Sequence, residues 1–393
     1  MKVLLSLLTL AFRMVPLLLI LTMLSRVETD ESLAEFLFAL SVLSIAATFI
    51  EFGHINSVVV RYNATRSTLV WVVLAEKAIN LLPFFLAALL AGMTAGTSIG
   101  PWLMLAAYFF LFHVQNVLLI LIRLEDGFGK EAWFGFLANA LFLAAFFVLW
   151  PSLDVFLAMM LARFVSFVPL AMSPLWKYLQ KARAPSADDI LTGYKVSFFF
   201  FLTQAFGVVL LNIDTLSLKP VLPQADFVVY ALANRYYMPL TMISLALSPS
   251  LLALLASPAS PGSGTLHRKL AGYGVFLVVF SVSVWAFFDD ILGLMLPKYR
   301  DQLAVVHNGY SLVVFLRILA ITLNVALLAD PSRWAKTIPI IAAILVFLAY
   351  VAIVRPGTLS GALTGIMTSY FTMLVASALL IWRRARHLRT GSG

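Results

Sequence analysis

Residues 228–240 read VVYALANRYYMPL and lie inside an apolar run from 227 to 256, yet they carry a permanent cation, Arg235. Whether this stretch is a membrane span decides the fold. A span takes about 20 mostly apolar residues, and the run is long enough. The composition of the whole chain agrees. Of 393 residues, 62% are hydrophobic and 11% are charged, where a soluble domain has about 25% charged. So few polar residues cannot cover a water-soluble surface. The chain reads as an all-α polytopic membrane protein. It has no cysteine, which excludes disulfides, thiolate metal sites and cysteine catalysis. A net charge of +9 would suggest nucleic acid for a soluble protein. In a membrane protein it reflects basic cytoplasmic loops, and no nucleic-acid partner is expected. The start, Met1-Lys2 before an apolar run, resembles a signal peptide, but Arg13 interrupts it and no small-x-small site precedes Arg26. It reads as the first span.

Twelve segments qualify: 4–24, 33–60, 68–91, 101–122, 132–150, 153–176, 195–218, 226–256, 270–294, 303–328, 337–354 and 359–382. They are long and lack period-two alternation, which predicts helices. Their connections are short, and the longest, at 177–195, falls at the midpoint and is rich in Pro, Ser and charge. It predicts an N-terminal six-helix lobe at 1–180, a cytoplasmic linker at 181–194 and a C-terminal six-helix lobe at 195–393. The loops and tails on one side hold 17 Lys and Arg and those on the other hold 5. The first side is therefore cytoplasmic and carries both termini. The halves echo each other: span two opens on Ala34-Glu35-Phe36 and span eight on Ala225-Asp226-Phe227. Repeats of equal orientation are related by an axis along the membrane normal.

Five cations lie inside spans: Arg13, Lys77, Arg163, Arg235 and Arg317. At 1.5 Å per residue, Arg13 and Lys77 are roughly 14 Å from the cytoplasmic surface, and Arg163 and Arg235 roughly 14 Å from the opposite one. Four charges thus share one plane, with Arg317 nearer the cytoplasm. Facing lipid, each costs about 2.5–3.5 kcal/mol. They should face a partner or a water-filled cavity. The embedded acids are fewer, Glu51, Glu76 and Asp214. Glu51 falls near the cytoplasmic end of span two, Asp214 near the outer end of span seven, and Glu76 points about 100° away from Lys77. The surplus of positive charge predicts a central cavity that attracts an anion. A structural reading stands beside this one, since an intramembrane Arg often pairs with an acid or with broken-helix carbonyls. Arg163 has Asp154, Pro169 and Pro174 for that role, and Arg317 has Asn324.

His113, Gln115, Asn116, Thr203, Gln204 and Asn324 are expected to hydrogen-bond between helices. Pro83, Pro169, Pro239 and Pro249 are expected to kink them. No GxxxxGK[ST], HExxH, CxxC or GxSxG motif occurs. The outer loops are too short to hold an active site. No catalytic residue, metal or cofactor is expected, and the chain does not read as an enzyme.

Twelve spans, a midpoint linker and several phrases resemble the polysaccharide (O-antigen or exopolysaccharide) repeat-unit flippases. That family shares a superfamily with the multidrug and toxin extruders and the lipid II flippases. The phrases are Glu51-Phe52-Gly53 with Arg61, Asn212-Ile213-Asp214, Tyr230-Ala231-Leu232-Ala233 with Asn234-Arg235, and Ala246-Leu247-Ser248-Pro249. The chain is short for the family and lacks its usual Gly after the acid-aromatic pairs that open spans two and eight, Glu35-Phe36 and Asp226-Phe227. The resemblance implies two lobes around a cavity open to one side at a time. It implies a polyprenyl-diphosphate-linked oligosaccharide as substrate, moved between leaflets of a bacterial cytoplasmic membrane by alternating access. Arg13, Lys77 and Arg235, then Arg163 and Arg317, are the expected substrate cations, since Arg and Lys both bind diphosphate. Glu51, Glu76 and Asp214 are the candidates for proton or sodium coupling. Glycan polymerases and glycosyltransferases are the expected protein partners, beside membrane lipids. Rival readings are a multidrug exporter of the same fold, which should carry an anionic cavity, and a noncatalytic subunit of a glycan-assembly complex.

Overall fold

The computed structural model describes residues 2–65, 68–173, 179–180, 182–256, 264–327 and 334–390. Within these, side chains are described except at 2–11, 55–56, 60, 63–65, 242–271, 273, 325–326 and 384–390. The described chain is helical and contains no strand. Its helices are α1 Lys2–Val27, α2 Asp30–Glu51, α3 His54–Thr65, α4 Leu69–Ala95, α5 Ile99–Asp126, α6 Phe128–Leu149, α7 Val155–Val165 and α8 Val168–Ala171. They continue as α9 Ala187–Leu218, α10 Gln224–Ala256, α11 Gly264–Met295, α12 Arg300–Ala326, α13 Thr337–Val354 and α14 Leu359–Thr390. Nine segments among the described residues are long and apolar enough to cross a membrane. On α4 the exposed residues include Ile79, Leu82, Leu86 and Leu90, and on α11 Val275, Val278, Val282 and Trp285. Each set falls on one helical stripe, and a stripe of large apolar side chains left outside the fold is what lipid contact requires. The chain is a multi-pass membrane protein.

Three expected segments differ. Span two is two helices, because Phe52 and Gly53 both take positive φ, 42° and 70°. A left-handed residue stops α2, and Gly is the type that tolerates it. Span six is also broken: α7 ends at Val165 and Pro169 sits in the first turn of α8, where its missing N–H costs nothing. Pro169 therefore starts a helix and does not kink one. Pro83 and Pro239 lie within continuous helices. Pro174 and the side chains of 246–249 lie outside the described residues. Finally, the expected linker at 181–194 is helical from Ala187, where Ser186 and Asp189 form a reciprocal cap. Ser186 N and Oγ donate to Asp189 Oδ2 at 2.9 and 2.8 Å, and Asp189 N donates back to Ser186 Oγ at 3.1 Å.

The chain divides into two compact units, residues 1–17 with 39–212, and residues 18–38 with 213–393. Residues 18–38 thus group with the C-terminal part of the chain and the start of α9 with the N-terminal part, so the division does not follow the midpoint. In the first unit α5 packs against α4, α6 and α7. Its core joins Val58, Leu69, Val73, Leu119, Ile122 and Leu170. In the second unit α12 packs against α10, α11 and α14, and α13 against α14. Some hydroxyls bond back within their helix, as Thr22 Oγ1 does to Leu18 O and Ser44 Oγ to Leu40 O, which satisfies them without water. The echoing phrases of spans two and eight both belong to the second unit, where Ala34, Glu35 and Phe227 line one cleft with Glu31, Lys219 and Gln224.

Candidate functional site

The break between α2 and α3 organises a buried ionic cluster. Where α2 ends, its last carbonyls lose their helical partners. Lys77 Nζ from α4 donates to one of them, Ile50 O, at 3.1 Å, and feels the charge of Glu51 beside it. A cation at a helix C-terminus is also favoured by the helix dipole. One residue earlier on α4, Glu76 is fully buried and faces α3. His54 Nε2 lies 2.8 Å from Glu76 Oε2. Arg61 Nη1 donates to Glu76 Oε1 at 3.2 Å and to Oε2 at 3.3 Å. Helix α9 covers the pair. A Cβ at Gly193 would collide with Glu76 Oε1 and with the Arg61 guanidinium. Tyr194 Oη donates to Glu76 O at 3.1 Å and to Asn80 Oδ1 at 2.9 Å. Phe52 stacks on Phe201 at 4.5 Å, and Ser197 Oγ donates to Ser57 Oγ at 2.8 Å. Gly53 itself has no room for a Cβ, which would meet Phe201 N at 2.6 Å.

The other two cations of the first unit lie elsewhere and have their own partners. Arg13 Nη2 donates to Glu131 Oε1 at 3.1 Å, and Arg123 Nε stands 3.8 Å from Glu131 Oε2. Arg163 is 1% exposed and meets no carboxylate among the described residues. Its Nη1 donates to Gln115 Oε1 at 2.8 Å and Asn139 Oδ1 at 3.3 Å, and its Nη2 to Tyr108 Oη at 3.3 Å. The guanidinium lies 3.9 Å from the Phe142 ring centre and close to the rings of Tyr108 and Phe112. Amide dipoles and aromatic faces replace a counter-ion here. Gln115 is held in turn, its Nε2 donating to Ser166 O at 3.1 Å and Oγ at 3.2 Å.

The second unit has one buried network around Asp214. Its Oδ1 accepts from Thr215 N at 2.6 Å and Thr215 Oγ1 at 3.3 Å. Its Oδ2 accepts from Tyr230 Oη at 2.7 Å, Asn234 Nδ2 at 3.1 Å and Arg317 Nη2 at 3.3 Å. Arg317 Nη1 donates to Asn234 Oδ1 at 2.9 Å, and the guanidinium lies over the Tyr370 ring at 4.9 Å. Arg235 is buried on the next position of α10 and is acted on by the charge of Asp214.

Several sequence expectations change. Arg13, Lys77 and Arg163 do not meet within the first unit: each belongs to a separate cluster. Asp214 pairs with Arg317, though their expected depths set them apart. Arg163 does not use Asp154, which instead caps α7 by accepting from Phe156 N at 2.8 Å and Leu157 N at 3.2 Å. Arg317 bonds Asn234 and not Asn324. Gln115 bonds between helices as expected, whereas Thr203 bonds back to Phe199 O within α9. Sequence reasoning gave no site role to Glu131, Arg61 and Gly193, which fell in stretches read as loop or linker, or to His54 and Asn234, which read as ordinary polar residues of a span; Arg61 and Asn234 entered only as parts of family-like phrases.

No protein-family model matches the chain, and no curated protein matches it by sequence. Its fold is similar to solved transporters over nearly its whole length. The inward-facing conformation of a multidrug resistance MATE family transporter of the MOP superfamily aligns at a TM-score of 0.75 and 14% identity, covering 97% of this chain and 96% of that one. The outward-facing conformation of such a transporter aligns at 0.63 and 14%, covering 100% and 96%. The eukaryotic MATE transporter AtDTX14 aligns at 0.67 and 14%, covering 97% and 94%. The fold class is thus an all-α membrane protein of about twelve membrane helices in two lobes, as the hydropathy pattern predicts.

Proposed function

We propose that this chain is an alternating-access membrane transporter that exports small amphipathic molecules, in the manner of multidrug exporters of its fold. The observation that carries the reading is the full-length likeness to MATE transporters. Charge pairing supports the same choice over an anionic substrate. Arg13, Lys77 and Arg317 are all engaged, with Glu131, Ile50 O and Asp214. A diphosphate would have to displace these contacts to reach the three cations. The transporter would work in the cytoplasmic membrane with both termini inside, as the Lys and Arg distribution implies.

A second reading has its own support. In the second unit the buried charges among the described residues are Asp214 against Arg235 and Arg317. That residual positive charge suits the polyprenyl-diphosphate-linked oligosaccharide implied by the flippase phrases. Proteoliposomes separate the two. A pH gradient that drives a fluorescent lipophilic cation, with no movement of a diphosphate-linked oligosaccharide lipid, supports the exporter. The reverse result supports the flippase. Movement of neither under proton or sodium gradients overturns both.

A further inference from the structure

We propose that the cleft between the first turns of α2 and the start of α10 binds a small amphipathic monocation. The cleft lies wholly within the second unit and encloses about 240 Å³. Its floor is apolar: Ala34, Leu222 and Phe227 line it, and all three are buried. Its rim is polar, with Glu31 and Glu35 from α2, Lys219 from the α9–α10 turn and Gln224 from the first turn of α10. An apolar floor with a few polar groups is the make-up of a small-molecule site. The volume is below the roughly 300–1,000 Å³ of drug-sized sites, so the cleft takes a small molecule or one end of a larger one.

Charge selects the ligand. Glu31 and Glu35 are one helical turn apart and therefore share a face of α2. Neither forms a salt bridge among the described residues, whereas their neighbour Asp30 pairs with Lys298. Lys219 is already engaged: its Nζ lies 4.1 Å from the centre of the Phe38 ring, and the charge of Glu35 acts on it. One ammonium against two carboxylates leaves a surplus of one negative charge in the lining. A cation therefore meets attraction and an anion repulsion, each weakened by the water at the rim. The apolar floor favours a cation with a hydrocarbon body over a bare metal ion. Among the described residues, no group of three acids or histidines could hold a metal.

The internal echo of the sequence leads to the same place. Ala34-Glu35-Phe36 and Ala225-Asp226-Phe227 are the matching phrases of the two halves. Ala34 and Glu35 of one and Phe227 of the other line this cleft. Transporters built from repeats place substrate contacts where equivalent elements meet. The Lys and Arg distribution puts the start of both helices on the noncytoplasmic side, the face at which an exporter releases its substrate. That the bound cation is cargo rests on the exporter reading, whereas cation binding by the cleft does not.

Gln224 is exposed at the rim and the chain has no cysteine, so Gln224→Cys places a single thiol beside the ligand. Alkylation of the purified Q224C chain by a neutral maleimide, in nonionic detergent, is timed with increasing benzyltrimethylammonium. The cation should slow the reaction saturably. Adding E31Q/E35Q should raise the half-protecting concentration about tenfold, since each exposed ion pair contributes a few-fold at most. Adding K219Q should lower it about threefold. Phenylacetate, similar in size and opposite in charge, should not protect. No saturable protection by the cation, an unchanged half-protecting concentration in E31Q/E35Q, or stronger protection by phenylacetate overturns the proposal. Protection in a chain that moves no lipophilic cation in proteoliposomes keeps the site and sinks the exporter reading. Transport without protection keeps the exporter and sinks the site.

Discussion

Two buried acids, one in each unit, are held in opposite ways. Asp214 accepts five hydrogen bonds, from a backbone N–H, two hydroxyls, an amide and the guanidinium of Arg317. Each of these groups donates to the carboxylate, and together they occupy both of its oxygens. The Glu76 carboxylate accepts from Arg61, and the His54 ring stands 2.8 Å away without a hydrogen bond to it. Burial alone does not make an acid a coupling site. What separates the two is the number and kind of donors that reach the carboxylate.

Removing the cation from each acid should break this comparison most visibly. Arg317→Met removes the guanidinium bonded to Asp214, leaving its neutral donors and the more distant charge of Arg235, and should cost about 3–5 kcal/mol, read as a large drop in the thermal unfolding midpoint in detergent. Arg61→Met leaves Glu76 with His54, and the loss should be about 1–2 kcal/mol. Equal losses would mean that the imidazole gives no support. Two glycines of α9 sharpen the account of how it covers the Glu76–Arg61 pair. Gly193→Ala forces a methyl group into the Glu76–Arg61 pair and should cost about 2 kcal/mol. Gly207→Ala has open space around it and should gain about 0.5–1 kcal/mol from helix propensity. If both substitutions are neutral, α9 is not seated on the pair. The smallest effect belongs to an exposed pair: Lys298 Nζ lies 2.7 Å from Asp30 Oδ1 with both side chains more than a third exposed. Lys298→Ala should change stability by no more than about 0.5 kcal/mol, since solvent screens such pairs.

The spans were legible because lipid imposes one rule, a long apolar run with its backbone bonds satisfied within the helix. Segments such as 337–354 match the structure to the residue. The break at Phe52-Gly53 was harder, because 33–60 is apolar enough to read as one run. Its local signal was Gly53 flanked by Glu51 and His54, two polar residues where a span should have none. Charge pairing was least legible. Depth counted from the helix start assumes that helices start at one height. Arg13 lies about three turns into α1, yet its partner Glu131 is in the first turn of α6. Arg317 lies deep in α12, yet it reaches Asp214 one turn from the end of α9. Long side chains and offset helices defeat that counting, and only packing resolves it.

The sequence distances between partners bear on how the chain is made. Arg61 and Glu76 are 15 residues apart, on consecutive helices. Their pair can close as a hairpin soon after both leave the ribosome. Asp214 and Arg317 are 103 residues apart. The carboxylate must wait in the bilayer while α10, α11 and most of α12 are synthesised. Tyr230 and Asn234, only 16 and 20 residues downstream, reach it first. The neutral donors thus act as temporary custodians of the charge, and their loss should be felt during biosynthesis, as poor insertion and degradation, more than in the finished protein.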